Sequence, residues 1–344
     1  MEMLKELSIK TAVSGNENNA SLYIKSLFEP YCDSTEVDRF HNVIGIKKGE
    51  AGGKRIMVTA HYDEIGFIVS GIDDKGFVKF SNIGGIDSKI LLSQEVIIHG
   101  KRDVYGIIGA KPPHLLNADE VKKAVKKDSL VIDIGMDEKK AKELLSIGDV
   151  ISFKAEPFSL KGNKLSAKSL DNRAGVAAAV LMLKELDEIK LRHEVTVVAT
   201  VQEEVGLRGA NIAAFNVHPD IAIVIDACHG DMTDVPKVET FNLGKGPAVG
   251  IGPNLHRKLS KKIMDIASEE NIPYQVDVEP GDTGTEAWAI QVSRLGVPVI
   301  LLSIPLRYMH TTIETLSEKD VKNTARLAAR FISRLHEMEG ILCY

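Results

Sequence analysis

The sequence predicts an α/β fold in which a mixed sheet is covered by helices on both faces and a small β-barrel domain is inserted. The first observation is a set of segments that are apolar almost throughout, as strands buried on both faces are. These predicted strands lie at residues 55–60, 195–201, 221–225 and 297–303. Helical patterns between these strands, and a separate block of short β-strands, are the second and third observations.

Helices are predicted where apolar residues recur at helical spacing. They lie at residues 18–28, 172–186, 257–270 and 318–338, and a short amphipathic helix is predicted at the N-terminus. The segment DNRAGVAAAVLMLKEL begins with Asp171, a residue type that favours the start of a helix. Alternation of such helices with buried strands predicts the α/β sheet domain.

Between residues 68 and 164 the pattern changes to short strands separated by turn signals, as in GIDDKGFVKF and IIHGKRDVYGIIG. This interval is too long for a loop, so an inserted domain is the economical interpretation. We therefore divide the chain into a discontinuous α/β domain, residues 1–67 and 165–344, and an inserted β-rich domain, residues 68–164.

Composition and charge limit the function classes. The chain has 344 residues, and its 43 Lys+Arg against 48 Asp+Glu give a formal net charge of −5. Because no basic stripe stands out, we expect no nucleic-acid partner; the lysines at 122, 123, 126 and 127 predict a solvated helix face. No apolar run is long enough to span a membrane and no secretion signal is recognisable, so a cytoplasmic protein without membrane contact is expected.

Potential metal ligands follow every predicted sheet strand, where the carboxyl ends of parallel strands would bring them to one edge. They are His61 and Asp63 after the first strand, Glu203 and Glu204 after the second, Asp226 after the third, His310 beyond the fourth, and Asp171 at the start of the long helix. A set of His, Asp and Glu without Cys suits Zn, Co or Mn and argues against a structural zinc site.

Taken singly, these residues have ordinary explanations. A lone histidine after a strand is usually a loop residue, and adjacent glutamates are common on solvated turns. Asp171 could cap the helix, and Asp226 could cap a turn. The coincidence of all of them at strand ends or helix starts favours a metal site.

Asp63 has a separate predicted role. Residues 61 and 63 point to the same side of an extended segment, so the Asp63 carboxylate could accept the spare N–H of His61 and fix its tautomer. The alternative is an aspartate in a turn before Gly66.

Five motifs follow one another along the chain, namely AHYDEIGF, SLDNRAG, QEEVGLRGA, IDACHGD and SIPLRYMHTTIE. With these motifs the sequence resembles the tetrahedral (TET-type) aminopeptidases, a family of dinuclear metallo-exopeptidases that also carries glutamyl aminopeptidase and cellulase labels. The resemblance covers essentially the whole chain. It implies a zinc-exopeptidase-like α/β domain, an inserted barrel used for dimerisation, and a tetrahedral dodecamer built from dimers.

The resemblance also implies the roles of the site residues. Two divalent metal ions, Zn or Co, would be bound by His61, Asp171, Glu204, Asp226 and His310. Asp171 would bridge the ions, and which ion Asp226 or Glu204 binds stays open. Glu203 would be the general base, Asp63 would orient His61, and the peptide bond between Asp171 and Asn172 would be cis. The implied reaction is removal of N-terminal residues from peptides that have a free amino group.

The sequence departs from many relatives at two places outside the metal ligands. TGTEAWAIQ has Glu286 where Asp is common, and DRFHNVIG has His41 where Gly is commoner. Glu286, and His114 in KPPHLL, are candidate substrate-binding residues. The native metal and the preferred N-terminal residue do not follow from the sequence.

Two other functions are weighed against peptide hydrolysis. An endoglucanase-type glycoside hydrolase needs two carboxylates flanking a sugar bond, which leaves the histidines and the bridging aspartate without a role. A catalytically silent, shell-forming scaffold would be indicated by a missing ligand or base, and none is missing. A serine nucleophile motif and a P-loop are both absent from the sequence.

Overall fold

The computed structural model describes residues 1–115 and 127–335. Lysines 122, 123 and 126, and the part of the predicted last helix beyond residue 335, lie outside these ranges. No helix within the described residues combines the length and the apolar character needed to cross a membrane.

The larger part of the described chain is built on an eleven-stranded mixed sheet. Its strands are β1 (Ser34–Val37), β2 (Val43–Lys47), β3 (Arg55–His61), β10 (Phe158–Leu160), β11 (Lys164–Ala167), β12 (Glu194–Thr200), β13 (Ile221–His229), β14 (Ala248–Ile251), β15 (Gln275–Val278), β16 (Val299–Arg307) and β17 (Glu314–Ser317). The order is β1-β2-β12-β3-β13-β16-β17-β11-β10, with β14 and β15 branching from β16.

The centre of the sheet is parallel, which positions the site. β12, β3, β13 and β16 are parallel neighbours, whereas β2 and β17 pair antiparallel with β12 and β16. The pairing places Thr200 beside His61 and Asp226 beside Ser303. The carboxyl ends of the four parallel strands therefore meet at one edge, the usual ligand-binding edge of such sheets.

Helices cover both faces of the sheet, as the apolar strands predict. They are α1 (Glu2–Ile9), α2 (Asn18–Phe28), α4 (Leu170–Leu186), α5 (Arg208–Val217), α6 (Arg257–Glu269), α7 (Glu286–Ile290) and α8 (Glu318–Ser333); α3 (Glu138–Leu144) lies in the barrel segment. Alternate residues of β3 serve the two faces: Ile56 and Val58 pack in the core that contains α4, and Met57 packs in the core that contains α5. Apolar side chains on both faces of a strand require this double cover.

The inserted segment forms a closed barrel of six strands among the described residues. They are β4 (Gly66–Ile72), β5 (Val78–Ile83), β6 (Glu95–His99), β7 (Asp103–Gly109), β8 (Val131–Asp133) and β9 (Val150–Phe153). The barrel has its own core, in which Phe67 packs edge-to-face on Phe80 and Phe153 at centroid distances of 4.9 and 5.0 Å. Closure leaves no unpaired edge strands in this unit.

The α/β fold with a mixed sheet and a small barrel is confirmed. The barrel strands run from Gly66 to Phe153, and β10 pairs with β11 at the edge of the large sheet although residues 158–160 fall inside the predicted range 68–164. The division at residues 67 and 165, and the dimerisation role of the barrel, stay predictions.

Candidate active site

A cavity of about 490 Å³ lies at the edge where the parallel strands end. All the predicted metal ligands and the predicted base line it: His61, Asp171, Glu203, Glu204, Asp226 and His310. His61 is the last residue of β3, and Asp226 lies within β13. Glu203 and Glu204 follow β12 after Gln202, whose left-handed backbone (φ 53°) turns the chain away from the sheet.

The start of α4 departs from helical geometry where Asp171 enters the cavity. Ser169 has φ 57°, and Asp171 and Asn172 have non-helical angles before the regular helix begins. The peptide bond between Asp171 and Asn172 is cis, as the family resemblance implies. The Asn172 Nδ2 group donates to the Ile225 carbonyl at 2.7 Å, which ties this segment to β13 beside Asp226.

The two oxygens of Asp171 face different histidines. The distance from Asp171 Oδ1 to His61 Nε2 is 3.3 Å, and that from Asp171 Oδ2 to His310 Nε2 is 3.5 Å. His61 Nε2 also lies 3.8 Å from Asp226 Oδ1, and His310 Nε2 lies 3.3 Å from Glu204 Oε1. The cluster contains three groups of potential ligands. Two of them share Asp171, namely His61, Asp171 and Asp226, and Asp171, Glu204 and His310, and the third is His61, Glu203 and Glu204.

Asp63 lies behind His61 and is fully buried. Its Oδ1 atom is 3.4 Å from His61 Nδ1, close enough for an ion pair, but His61 Nδ1 forms no hydrogen bond with the described residues. Asp63 also accepts hydrogen bonds from the Glu203 N–H at 3.0 Å and the Glu204 N–H at 3.3 Å, and from the Ser14 hydroxyl at 2.6 Å. The same carboxylate therefore contacts the imidazole and the backbone of the Glu203–Glu204 turn.

His310 is positioned by two groups that the sequence did not indicate. Its Nδ1 atom is 2.8 Å from the carbonyl oxygen of Gly85, so an N–H at Nδ1 directs the free Nε2 towards Asp171 and Glu204. The Glu314 carboxylate accepts from the His310 N–H at 2.8 Å and from the Asp171 N–H at 3.0 Å. Glu314 lies four residues after His310 in the quoted motif, but only the fold places it against Asp171.

Burial and mutual repulsion control the ionisation of this cluster. Burial, with the charge of Asp226, raises the pKa of Glu203 to about 9. Burial likewise raises the pKa of the Asp226 carboxyl well above its usual range. For His310, burial lowers the pKa, but its contacts with Asp171 and Glu204 outweigh that effect and raise the pKa to about 11. Glu203 and Asp226 thus depend on nearby positive charge to ionise.

The donor set fits a pair of divalent metal ions. Each group of three provides one imidazole nitrogen and two carboxylates, with ligand atoms within 4.8 Å of one another. Imidazole and carboxylate ligands without cysteine suit Zn, Co or Mn in an open, catalytic type of site. Cations between the carboxylates would also relieve the repulsion that raises their pKa values.

Three other singled-out residues lie away from the cavity. His114 is exposed in a short 3₁₀ turn, Pro113–Leu115, and does not line the cavity of the described chain. Glu286 begins α7, is fully buried, and accepts a hydrogen bond from the Thr200 hydroxyl behind the site. His41 has a left-handed backbone, φ 71°, a conformation that glycine adopts without strain.

The chain is similar to known aminopeptidases over almost its whole length. The family model for M42 glutamyl aminopeptidase matches residues 41–327. Lysyl aminopeptidase of Pyrococcus furiosus is 33% identical over 98% of both chains. The structure of a TET aminopeptidase from Thaumarchaeota archaeon SCGC AB-539-E09 superposes with a TM-score of 0.92 and 35% identity over 99% of both chains. The TET1 peptidase of Pyrococcus horikoshii superposes with a TM-score of 0.84 and 34% identity over 96% of this chain and 98% of that one.

By these matches the chain is an aminopeptidase, a hydrolase of peptide bonds. Within that class, the chain belongs to the M42 glutamyl aminopeptidase family.

Proposed function

We propose that this chain is a metal-dependent aminopeptidase that uses two divalent ions, Zn or Co, and Glu203 as the general base. The observation that carries the proposal is the position of Asp171, whose two oxygens face His61 and His310 at 3.3 and 3.5 Å. A carboxylate between two histidines can serve both ions at once. His61 and Asp226 would complete one set of ligands, and Glu204 and His310 the other.

When bound, the metal pair would supply Lewis acidity that polarises the scissile carbonyl group and water. The protein supplies the positions of the groups around it. Asp63 holds His61 and the Glu203–Glu204 backbone together, and Glu314 holds the backbone of Asp171 and His310. Such outer contacts fix the orientation of ligand side chains.

The position of Glu203 supports the proposed role in proton transfer. It lines the cavity, and its Oε2 atom lies 3.9 Å from His61 Nε2, farther than any ligand contact of His61. As a base, Glu203 takes a proton from the attacking water, and as an acid it gives a proton to the leaving amine. The raised pKa of Glu203 favours the second step, and nearby positive charge favours the first.

The products are one amino acid and a shortened peptide. A substrate with a free, charged N-terminus suits a cavity lined by carboxylates, because their negative charge compensates an ammonium group for the solvation energy that it loses on burial. Peptides are therefore the proposed substrates.

We also propose that the chain functions as a homo-oligomer in the cytoplasm, with residues 68–164 forming the dimerisation domain of a tetrahedral dodecamer. The TET1 peptidase of Pyrococcus horikoshii assembles into a tetrahedron or a large octahedral shell. The exposed apolar residues Tyr105 and Ile107 on the outside of β7 support a contact through the barrel.

The alternative functions fit the cavity less well. A glycoside hydrolase mechanism uses two carboxylates and gives His61, His310 and the central Asp171 no role. A silent scaffold would not need six polar groups in one cavity. Their burial is unfavourable, because it disfavours the ionised forms of Glu203 and Asp226 and raises their pKa values.

Mass spectrometry of a peptide digest tests the proposal. A peptide with a free amino group should be shortened one residue at a time, its N-acetylated form should persist, and chelation should stop the reaction. Internal cleavage before N-terminal trimming, or full activity in metal-free protein, would contradict the proposed function.

A further inference from the structure

The cavity contains a second group of carboxylates that the proposed reaction does not use. These outer carboxylates are Glu239, Asp277 and Glu279. They come from two parts of the chain: Glu239 ends the 3₁₀ turn Lys237–Glu239, whereas Asp277 lies in β15 and Glu279 directly follows that strand. We call Asp171, Glu203, Glu204 and Asp226 the inner carboxylates.

The charges of the outer carboxylates are not balanced within the cavity. Among the described residues, no lysine or arginine lines it, and its remaining histidine is His229. Two divalent ions would carry four positive charges, which match the four inner carboxylates. The outer carboxylates would then remain as a separate negative region in the same cavity.

Asp277 and Glu279 lie close enough to affect each other. Burial, followed by the charge of Asp277, raises the pKa of Glu279 to about 7. Both side chains are partly buried, so water screens their repulsion incompletely. A cationic group placed beside them would favour their ionised forms.

Small side chains also line the cavity, namely Ala227, Thr283, Thr285 and Ser303. Ser303 is 2% exposed, and its hydroxyl forms no hydrogen bond with another described residue, so it is available to a bound molecule. The small lining residues leave room in this cavity of about 490 Å³ for an extended side chain beside the carboxylates.

We propose that the cavity selects peptides whose N-terminal residue is lysine or arginine, and that the outer carboxylates bind the cationic end of that side chain. This inference rests on the proposed aminopeptidase function and adds its substrate class. Lysine and arginine carry their charge at the end of a flexible apolar stem. The inner groups act at the peptide bond, while the outer carboxylates contact the end of the side chain.

The same arrangement disfavours acidic N-terminal residues. A glutamyl side chain would bring a further negative charge towards Glu239, Asp277 and Glu279 without a lysine or arginine in the described cavity to pair with it. Like charges at close distance disfavour a ligand and so contribute to selectivity alongside the attraction between opposite charges. The selectivity inferred for this chain therefore differs from the glutamyl preference in the name of its family.

Matched chromogenic substrates test the inference with the metal-loaded, full-length protein. They carry lysine, arginine, norleucine, leucine or glutamate before the same leaving group; norleucine matches the lysine stem without its charge. We expect kcat/KM for lysine to exceed that for norleucine by about tenfold or more, and glutamate to be the poorest substrate. In the double variant Asp277→Asn/Glu279→Gln the lysine-to-norleucine ratio should fall about tenfold, whereas Asp74→Asn, an exposed carboxylate in the barrel segment, should keep the wild-type ratio.

The outcomes separate this inference from the proposed function. If leucine or norleucine substrates are cleaved as well as lysine, or if the double variant keeps the wild-type ratio, the inference is wrong and the aminopeptidase function stands. If no substrate is cleaved at all, both are wrong. If the double variant fails to fold, the kcat/KM values of the wild type for the matched substrates decide whether the inference is right.

Discussion

Glu203 and Glu204 are neighbours in sequence but differ in their contacts. Glu204 Oε1 lies 3.3 Å from His310 Nε2 and forms a group of potential ligands with Asp171 and His310. Glu203 Oε2 lies 3.9 Å from His61 Nε2, and Glu203 shares a group of potential ligands with His61 and Glu204 but none with Asp171. The backbone N–H groups of both residues donate to Asp63, which fixes the turn that separates their side chains.

The two glutamates should therefore respond differently to substitution. Glu203→Gln keeps the shape but removes the base, so turnover should fall about 10²–10⁴-fold while metal content stays near wild type. Glu204→Gln replaces a charged ligand with a neutral one, so metal affinity should fall first and excess metal should restore part of the activity. Kinetics with elemental analysis separates the two effects. Equal metal loss in both variants would contradict this division of roles.

Glu314 is a positioning residue whose substitution should weaken metal binding. A glutamine has one acceptor oxygen and a donating amide, so Glu314→Gln cannot satisfy the backbone N–H groups of both Asp171 and His310. We expect metal affinity to fall about 10–100-fold. Calorimetric titration measures it, with Glu36→Gln, an exposed carboxylate on β1, as the control. Wild-type affinity in Glu314→Gln would show that the two contacts are dispensable.

The sequence indicated residues whose side chains are reactive, but it did not indicate their supports. His61, Glu203 and Asp226 stand out because each follows an apolar strand. Glu314 contacts the backbone of Asp171, and the Gly85 carbonyl contacts His310; both contacts join distant parts of the chain. The outer carboxylates gave no signal for another reason: Asp277 lies in an ordinary, partly exposed strand, and Glu279 directly follows it.

At the scale of elements, the start of α4 decides how Asp171 reaches the cavity. Asn172 connects this segment to β13 through the Ile225 carbonyl, and its Oδ1 accepts from the Gly175 N–H at 3.0 Å. Gly175 is required for close packing: a Cβ there would lie 2.4 Å from Asn172 Oδ1 and 2.9 Å from the Ala60 Cβ.

Gly175→Ala should therefore destabilise the protein although alanine is the better helix former. The helix propensity gain is about 1 kcal/mol, whereas crowding in a closely packed core costs about 1–3 kcal/mol, and here Asn172 must also move. We expect a lower thermal midpoint together with weaker metal binding. Gly71→Ala is the control, because its Cβ would meet only Lys79 at 3.9 Å. A midpoint above wild type for Gly175→Ala would contradict the packing argument.

Element prediction succeeded where burial produces a clear pattern. α2 has the predicted bounds, and the four central strands begin within two residues of prediction because both of their faces are buried. The pattern is uninformative for β10, whose three residues are all exposed, and it did not assign this strand to the large sheet. The non-helical backbone at the start of α4, at Asp171 and Asn172, is likewise not visible in the helical pattern of the sequence.

At the scale of the whole molecule, the barrel and the sheet meet at the site. The Gly85 carbonyl, which follows β5 of the barrel, contacts His310 Nδ1. Removing the barrel would therefore disturb a proposed metal ligand as well as any subunit contact. Point substitutions on the outside of the barrel are the better test of its role in assembly.

We expect the double variant Tyr105→Asp/Ile107→Asp to lower the oligomeric state. These side chains are 62% and 54% exposed on β7, so charges there cost little in the monomer but prevent an apolar contact between subunits. Light scattering measures the mass. Leu22→Asp, at a 69% exposed position on α2, is the control. An unchanged large oligomer in the barrel variant would contradict the proposed dimerisation surface.

The number of metal ions bound per subunit tests the central claim most directly, because Asp171 is proposed to serve both ions and Asp226 only one. Metal-stripped wild type, Asp226→Asn and Asp171→Asn would each be titrated with zinc by calorimetry, with elemental analysis after dialysis. The account predicts two ions for wild type, one for Asp226→Asn and loss of tight binding at both positions for Asp171→Asn. A single ion in wild type, or two tightly bound ions in Asp171→Asn, would contradict it.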